Sequence, residues 1–401
     1  LAEESGRQPP LAGVRVLAVE QFGAGPWGTM MLADLGAEVI KIENPMTGGD
    51  VGRSVPPYTV DQDSLYFQSF NRSKKSLTLD LQSPEGRDIF HRLVAVSDAV
   101  YNNLRGDVPG KLGLDYANLK GTKQAIVCCS LSAFGRTGER AADPGYDYLM
   151  QGYAGWMSIT GDPATPPQKS GLSLVDLSAG VLASLATVSA ILNARTSGLG
   201  CDVDVSLFDT AIAQLAYLGA WHLTEGYQPV RQPDSAHPSQ VPSQILPTRD
   251  GHIVVMCAKE KFYQNLVKAL GVPELVDDPR FRTAPDRMKH RDALVAILKP
   301  LTQTRTTAEW MGVLKGDVPC APVNTVEEAL ADRQAVADGM IEALPHSQFG
   351  IVRQPASPIK IDGDRASSVR GPALGEHTDE VLDLIGVEPG EVRRLRDDGV
   401  I

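Results

Sequence analysis

Val14-Arg15-Val16-Leu17-Ala18-Val19, the glycines Gly23, Gly25 and Gly28, a helical run ending at Gly36, and Glu38-Val39-Ile40-Lys41-Ile42-Glu43 form the stretch on which the fold turns. The first run is rich in β-branched and aliphatic residues and reads as a strand. Residues 29–35 carry helical periodicity, and Gly36 stands where a left-handed C-cap belongs. Residues 38–43 read as a second strand. Strand, turn, helix and strand within about 30 residues make a βαβ unit with parallel strands.

The alternation continues downstream. Residues 75–81 suggest a strand, and residues 84–96 a helix with Pro84 near its first turn. Residues 98–102 and 125–131 suggest two more strands. This order predicts an α/β fold, a doubly wound Rossmann-like sheet. Two long helices are expected from about 176 to 194 and 206 to 223. Residues 228–247, rich in Pro, Ser, Gln and His, read as a linker or long loop. A turn at Arg249-Asp250-Gly251-His252 opens a strand at 253–257. Helical segments at 262–270 and 293–301 then suggest a smaller α+β domain. The tail from 318 returns to strand-like and loop-like segments, with a last helix near 378–385. The expected division is a large domain of residues 11–225 plus 318–401 and a small domain of residues 226–317.

A chain of 401 residues, with 42% hydrophobic and 22% charged residues, has ample material for such cores. Its net charge of −11 argues against nucleic acid, which needs a basic footprint. A phosphorylated small molecule needs only a local cluster of donors and stays open. The five cysteines form no CxxC pair, so neither a disulfide framework nor a zinc site is expected, and a reducing cytoplasm is the natural compartment. Residues 1–7 are polar and carry no secretory apolar region. The longest apolar stretch, residues 181–194, is too short for a bilayer and reads as a buried helix, so no membrane partner is expected.

Gly23-x-Gly25-x-x-Gly28 lies between strand and helix, and Glu43 follows Gly23 by 20 residues. That is the spacing of a dinucleotide fingerprint. Against it, Pro26 and the bulky Trp27 fill the x-x positions. The glycines equally suit a tight turn and close backbone approach. A third reading gives the free N–H groups at the helix start to the phosphates of CoA. Arg72, Lys74 and Lys75 form a local basic cluster, read either as a phosphate contact or as a solvated strand edge. Asp176 stands before an apolar helix, where an Asp is most often an N-cap. The helix end would also keep its carboxylate ionised. No GxxxxGK[ST], HExxH or metal-spaced histidine pair signals a nucleotide-hydrolysing or metal site.

Several segments together resemble the family III CoA-transferases, also called the CaiB/BaiF family. They are Leu11-Ala12-Gly13-Val14-Arg15-Val16-Leu17 with Ala24-Gly25-Pro26, and Leu35-Gly36-Ala37-Glu38-Val39-Ile40-Lys41-Ile42-Glu43. Phe70-Asn71-Arg72-Ser73-Lys74-Lys75-Ser76-Leu77-Thr78-Leu79-Asp80-Leu81 follows. Then come Asn103-Leu104-Arg105, Lys111-Leu112-Gly113-Leu114 and Pro144-Gly145-Tyr146-Asp147. Asp204-Val205-Ser206-Leu207 and Leu374-Gly375-Glu376-His377-Thr378 complete the set. The resemblance implies transfer of CoA from an acyl-CoA, with succinyl-CoA a candidate donor, to a free carboxylic acid. Asp176 would be the nucleophile, passing through a mixed anhydride and an aspartyl-CoA thioester. The positions matching the family's CoA contacts are Gly23, Ala24, Asn44, Leu79, Asn103, Leu104, Arg105, Val108, Lys111, Tyr146 and Asp147. No permanently bound cofactor is implied, since CoA arrives as part of the substrates. An interlocked homodimer is implied, with a heteromer of paralogous chains as the variant.

The chain departs from the family pattern in places. Leu104 replaces a Phe that lines the CoA site, and Asn44 replaces an Arg on the adenine side. The glycine-run loop of formyl-CoA transferases is absent from residues 225–250, which argues against formyl-CoA and oxalate. Among alternatives, an α-methylacyl-CoA racemase would use the same Asp for proton transfer and pair it with a His where this chain has Tyr146. A non-catalytic subunit would have lost the Asp. An NAD-dependent dehydrogenase remains on the strength of the glycine pattern alone.

Overall fold

The computed structural model describes residues 8–401; the polar start at residues 1–7, where no secretory segment is expected, lies outside them. The chain divides into two units. One runs up to Ala154 and adds Leu172–Gln214 and Gln334–Ile401; the other comprises Gly155–Gly171 and Leu215–Arg333.

The first unit is built on a six-stranded sheet. Its strands are β1 (Arg15–Val19), β2 (Glu38–Glu43), β3 (Lys75–Thr78), β4 (Ala99–Asn102), β5 (Val127–Ser132) and β6 (Cys201–Ser206), in the order β3-β2-β1-β4-β5-β6. Every neighbouring pair is parallel. This is the doubly wound order, with its switch point between β1 and β4, where ligands gather at the carboxyl ends of the strands. The helices that concern the site are α1 (Ala24–Asp34), α2 (Leu65–Asn71), α3 (Pro84–Ala95), α4 (Asp147–Tyr153), α5 (Leu174–Ser197) and α6 (Leu207–Ala213).

Strand side chains alternate between the two faces. Leu17, Ile40, Leu77, Val100 and Cys128 enter one core. Ile89, Phe90, Leu93 and Val94 of α3 fill it, together with Val381, Leu382, Val392 and Leu395 from two tail helices, Thr378–Asp383 and Pro389–Asp397. The second of these follows the one expected to be last. On the opposite face lie α1 and α5. Every residue of α1 except Trp27 is buried. A Cβ on Gly28 would fall 2.7 Å from the Gly180 carbonyl oxygen, and one on Gly180 would fall 2.6 Å from the Ala24 carbonyl oxygen. Two helix backbones therefore touch where each lacks a side chain, and Ser184 Oγ bridges them by donating to the Gly28 carbonyl at 2.7 Å.

Helix α1 begins at Ala24, five residues before the start expected from periodicity. Gly25 and Pro26 thus lie inside its first turn, where a proline removes no intrahelical bond. Helix α5 has 24 residues and is long and apolar enough to cross a membrane. In this fold its small residues Ala179, Gly180, Ala183, Ser184 and Thr187 are buried, while Val181, Leu182, Leu185 and Leu192 are exposed. The 181–194 stretch is therefore buried on one face only. The helix expected over 206–223 is two helices, α6 and α7 (Ala216–Glu225), broken where Ala216 takes a φ of 44°. Strand β6 was not expected: Asp202 and Asp204 alternate outward on a sheet edge, which reads as loop polarity rather than as a half-exposed strand.

The second unit has an antiparallel sheet of β7 (Ser243–Pro247), β8 (His252–Met256) and β9 (Cys320–Pro322), with β8 central. Helices α8 (Glu260–Ala269) and α9 (Arg291–Thr302) cover a core that includes Leu246, Ile253, Val255, Tyr263, Leu266, Phe281, Leu294, Leu298 and Trp310. The segment read as a linker supplies β7. The unit also exceeds the expected 226–317, taking in 155–171, 215–225 and 318–333. Substituting Gly180→Val would force α1 away from α5 and should destabilise the first unit by about 1–3 kcal/mol, measured as a lowered denaturant midpoint; an unchanged midpoint would show that the helices have room to part.

Candidate active site

The turn from β1 into α1 is held by buried charge. Phe22 has a φ of 68°, a left-handed conformation that a bulky residue adopts only under constraint. Its N–H donates to Asp50 Oδ1 at 2.8 Å, and its ring packs on Tyr66, with centroids 5.0 Å apart. Asp50 pairs with Lys41 at 2.8 Å, and Lys41 donates to the Glu20 carbonyl at 2.9 Å. Glu20 Oε1 accepts from Lys74 at 2.8 Å and from Thr29 Oγ1 at 2.7 Å. Burial disfavours the Lys41 ammonium, but Asp50, Glu20 and Glu43 outweigh it and its pKa is raised. At Lys74 burial wins, and the pKa falls to about 8.

Two readings of the sequence are overturned by these pairs. Glu43, placed to hold a ribose in a dinucleotide site, is buried against Arg53 at 2.7 Å and also accepts from Ser76 Oγ and the Asp50 N–H. Glu43 lines a small cavity beside β2 and β3, but each of its carboxylate oxygens already accepts two hydrogen bonds, so neither is left for a ribose. The three glycines each meet a different neighbour: Gly23 meets Asp176, Gly25 meets Asn103 and Gly28 meets α5. Close approach, not a pyrophosphate, accounts for Gly25 and Gly28. In the basic cluster, Arg72 is buried against Asp34 at 2.6 Å and Lys74 against Glu20, so these two are neither phosphate ligands nor a solvated edge. Lys75 pairs with Glu38 and Glu380.

Asp176 stands in the first turn of α5 and is 8% exposed. Ser173, at the N-cap position, makes no side-chain cap bond. Asp147 caps the helix instead: its Oδ2 accepts from the N–H groups of Val175 at 2.7 Å and Asp176 at 3.0 Å, and its Oδ1 from Gln151 Nε2 at 2.6 Å. The helix end therefore does not hold the Asp176 carboxyl ionised, as its position suggested. Burial first, and the negative charge of Asp147 second, push its pKa up to about 7. A Cβ on Gly23 would lie 3.1 Å from Asp176 Oδ2, so the start of α1 abuts the carboxylate. The N–H groups of Gly23, Ala24 and Gly25 have no hydrogen-bond partner among the described residues, and Pro26 has none to give. A buried, basic carboxylate beside free N–H donors suits nucleophilic attack on an acyl group with stabilisation of the oxyanion.

These groups open on a cavity of about 830 Å³ at the carboxyl ends of β1, β4 and β5. Of the residues expected at the site, Gly23, Ala24, Asn103, Leu104, Arg105, Val108, Tyr146 and Asp176 line it. Asn44, Leu79 and again Leu104 line a smaller cavity of about 200 Å³ beside β2 and β3. Gln21 and Leu104 belong to both walls. Lys111 and Asp147 line neither: Lys111 is 68% exposed and paired with Asp107, and Asp147 is the buried cap. Asn103 spends its side chain on the backbone of Gln21, accepting from its N–H at 2.8 Å and donating to its carbonyl at 2.7 Å. Gln21, Phe22 and Tyr66 were missed. Tyr66 lies 110 residues from Asp176, and no local pattern marks it. Among the described residues no His, Cys, Asp and Glu cluster could hold a metal ion.

A sequence model of CoA-transferase family III matches residues 11–378. The chain is 34% identical to a succinate–glutarate CoA-transferase of Agrobacterium fabrum, over 95% of this chain and 97% of that one. It is 37% identical to an acetyl-CoA:oxalate CoA-transferase of Acetobacter aceti, over 88% of this chain and 90% of that one. The crystal structure of a CaiB/BaiF family protein from Brucella suis is similar at a TM-score of 0.82 and 35% identity, covering 94% of this chain and all of that one.

Two outcomes follow from the geometry. Activity that needs ionised Asp176 should fall as pH drops through about 7, because protonation removes the nucleophile; a rate constant across pH 5–8 would break that link. Gly23→Ala places a methyl 3.1 Å from Asp176 Oδ2 and 3.3 Å from Tyr66 Oη. It should lower kcat/KM by about tenfold or more, with little change in melting temperature.

Proposed function

The chain belongs to CoA-transferase family III, and on that premise we propose that it moves CoA from an acyl-CoA to a dicarboxylic acid through covalent intermediates on Asp176. The observation that carries this reading is the placement of Asp176: buried, basic and beside free N–H groups at the switch point of a doubly wound sheet. The relative named for succinate and glutarate supports the substrate class.

An Asp176 oxygen attacks the donor thioester carbonyl. The C–S bond breaks, CoA leaves as thiolate, and a mixed anhydride remains. The thiolate then attacks the aspartyl carbonyl, releases the donor acid as its carboxylate, and leaves an aspartyl-CoA thioester. The acceptor carboxylate attacks that thioester to form a second anhydride, and the thiolate takes the acceptor's acyl group. Asp176 returns as a carboxylate, with no net gain or loss of protons or electrons. Each tetrahedral step places negative charge on an oxygen, for which the free N–H groups of Gly23 and Ala24 on the cavity wall are the suitable donors. The acyl and pantetheine parts suit the larger cavity, and the nucleoside suits the smaller one at Asn44 and Leu79. Leu104, common to both, gives an apolar contact where related chains carry a ring. Lys111, exposed beside the cleft, suits a phosphate once drawn from Asp107.

A homodimer is part of the proposal. Leu174, Val181, Leu182, Leu185 and Leu192 form an exposed apolar stripe along α5, which a second copy would cover. A heteromer with a paralogous chain is the alternative, and light scattering of the purified chain separates them.

Incubation with succinyl-CoA and a series of acyl-CoAs, followed by hydroxylamine and peptide mass mapping, should give a hydroxamate at Asp176 that depends on one donor. Asp176→Ala should show none and lose at least about 10³-fold in transfer to oxalate, succinate or glutarate. Full transfer by Asp176→Ala would end the proposal. The same raised pKa also fits proton abstraction next to a thioester carbonyl, the racemase reading, although Tyr146 is a poor acid at neutral pH. Deuterium entering a 2-methylacyl-CoA from solvent, without acyl transfer, would favour it.

A further inference from the structure

We propose that Asp147 is a positioning residue for the transfer reaction: its carboxylate caps α5 from a neighbouring helix, takes the N–H groups of that helix end, and so holds a second buried carboxylate beside the Asp176 that is acylated. The inference rests on the transferase reading and adds to it a group that acts on Asp176 together with burial.

The cap is long-range. Ser173, at the N-cap position, makes no side-chain cap bond of its own. The cap comes from a residue 29 positions earlier than Asp176, itself 3% exposed. A helix end ordinarily favours an ionised carboxylate in its first turn. Here Asp147 Oδ2 occupies the N–H groups of both Val175 and Asp176, so the favour goes to Asp147. The two carboxylates are then held close in a buried site, where like charges disfavour each other.

That repulsion has a direction in the reaction. Free Asp176 carries a charge beside Asp147; the anhydride and the aspartyl-CoA thioester carry none at that position. Each acylation relieves the repulsion, and each return of the carboxylate restores it. Asp147 thus raises the nucleophile's ground state relative to its acylated forms while keeping its backbone in place. The other titratable and charged groups around the site are Tyr66 on α2, Tyr146 at the start of α4, and Asp143 and Arg105 on the cavity wall. Burial pushes the Tyr66 phenol well above its ordinary range, so it adds no charge. Arg105 is paired with Asp107 and Asp143 with Arg140, and the charge that acts on Asp176 is that of Asp147.

The test compares the full-length chain with its Asp147→Asn and Asp147→Ala variants, using the donor identified by hydroxamate trapping. Asp147→Asn keeps an oxygen to accept the two N–H bonds, removes the charge, and turns its NH2 toward Gln151, whose amide must flip to accept from it. It should keep the melting temperature within a few degrees and move the acid limb of the kcat/KM profile down by about one pH unit. The trapped hydroxamate at steady state should fall several-fold. Asp147→Ala, which removes cap and charge together, should also lose thermal stability. If the acid limb of folded Asp147→Asn coincides with that of the parent chain, the inference fails while the transferase reading stands. If Asp147→Asn does not fold, Asp147→Ser, which also offers an acceptor without charge, takes the same test with the same two outcomes. If the parent chain forms no hydroxamate and transfers no CoA, the transferase reading itself fails, before the variants are compared.

Discussion

The contact on which the site depends is the touching of α1 and α5 at Gly28 and Gly180. Neither residue has a side chain, so the helices approach until backbone meets backbone, and Ser184 ties them with a hydrogen bond. Helix α1 is pinned to the sheet by its position between β1 and β2 in a βαβ unit. Through the glycine contact that placement passes to α5, and the first turn of α5 carries Asp176. The nucleophile therefore meets the free N–H groups of α1 because two helices are allowed to come unusually close. A packed interior transmits such a constraint with little loss.

Behind the turn lies a second constraint, made of charge. Lys41, Lys74 and Arg53 are buried with Glu20, Asp50 and Glu43, three positive groups against three negative ones. Buried pairs add little net stability, but breaking one leaves an uncompensated charge and costs about 3–5 kcal/mol. The network acts by making one arrangement of the β1–α1 turn far better than its neighbours. It holds Phe22 in a left-handed conformation that the residue alone would avoid, and so presents Gly23 and Ala24 to the cavity.

The electrostatics of Asp176 complete the picture. A carboxylate at a helix start in water would be a weak base and a poor nucleophile. Burial withdraws the solvent that favours its charge, and Asp147 withdraws the helix N–H groups. What remains is a carboxyl that titrates near neutrality and faces a cavity large enough for a thioester. The local arrangement sets this, burial first and the neighbouring carboxylate second.

Much of this was legible in the sequence, and the reasons divide cleanly. Runs rich in β-branched and aliphatic residues and a helical periodicity in residues 14–43 gave the parallel βαβ core, because residue preference and periodicity are local properties. The position of Asp176 at a helix start was legible for the same reason, and seven further residues lining the larger cavity were named through the resemblance of their motifs. What stayed hidden involves partners distant in the chain. Whether Glu43 binds a ribose or Arg53, whether Lys74 meets phosphate or Glu20, and whether Asp147 touches CoA or caps α5 are all decided by which side chain arrives opposite. The edge strand at 201–206 and the strand at 243–247 escaped because pairing, not composition, makes them strands. The sequence by itself determined the periodicities, the charges and the chemical groups available. Only the tertiary structure decided which groups are desolvated and which carboxylates stand next to each other, because burial and Coulomb interaction depend on distance in space.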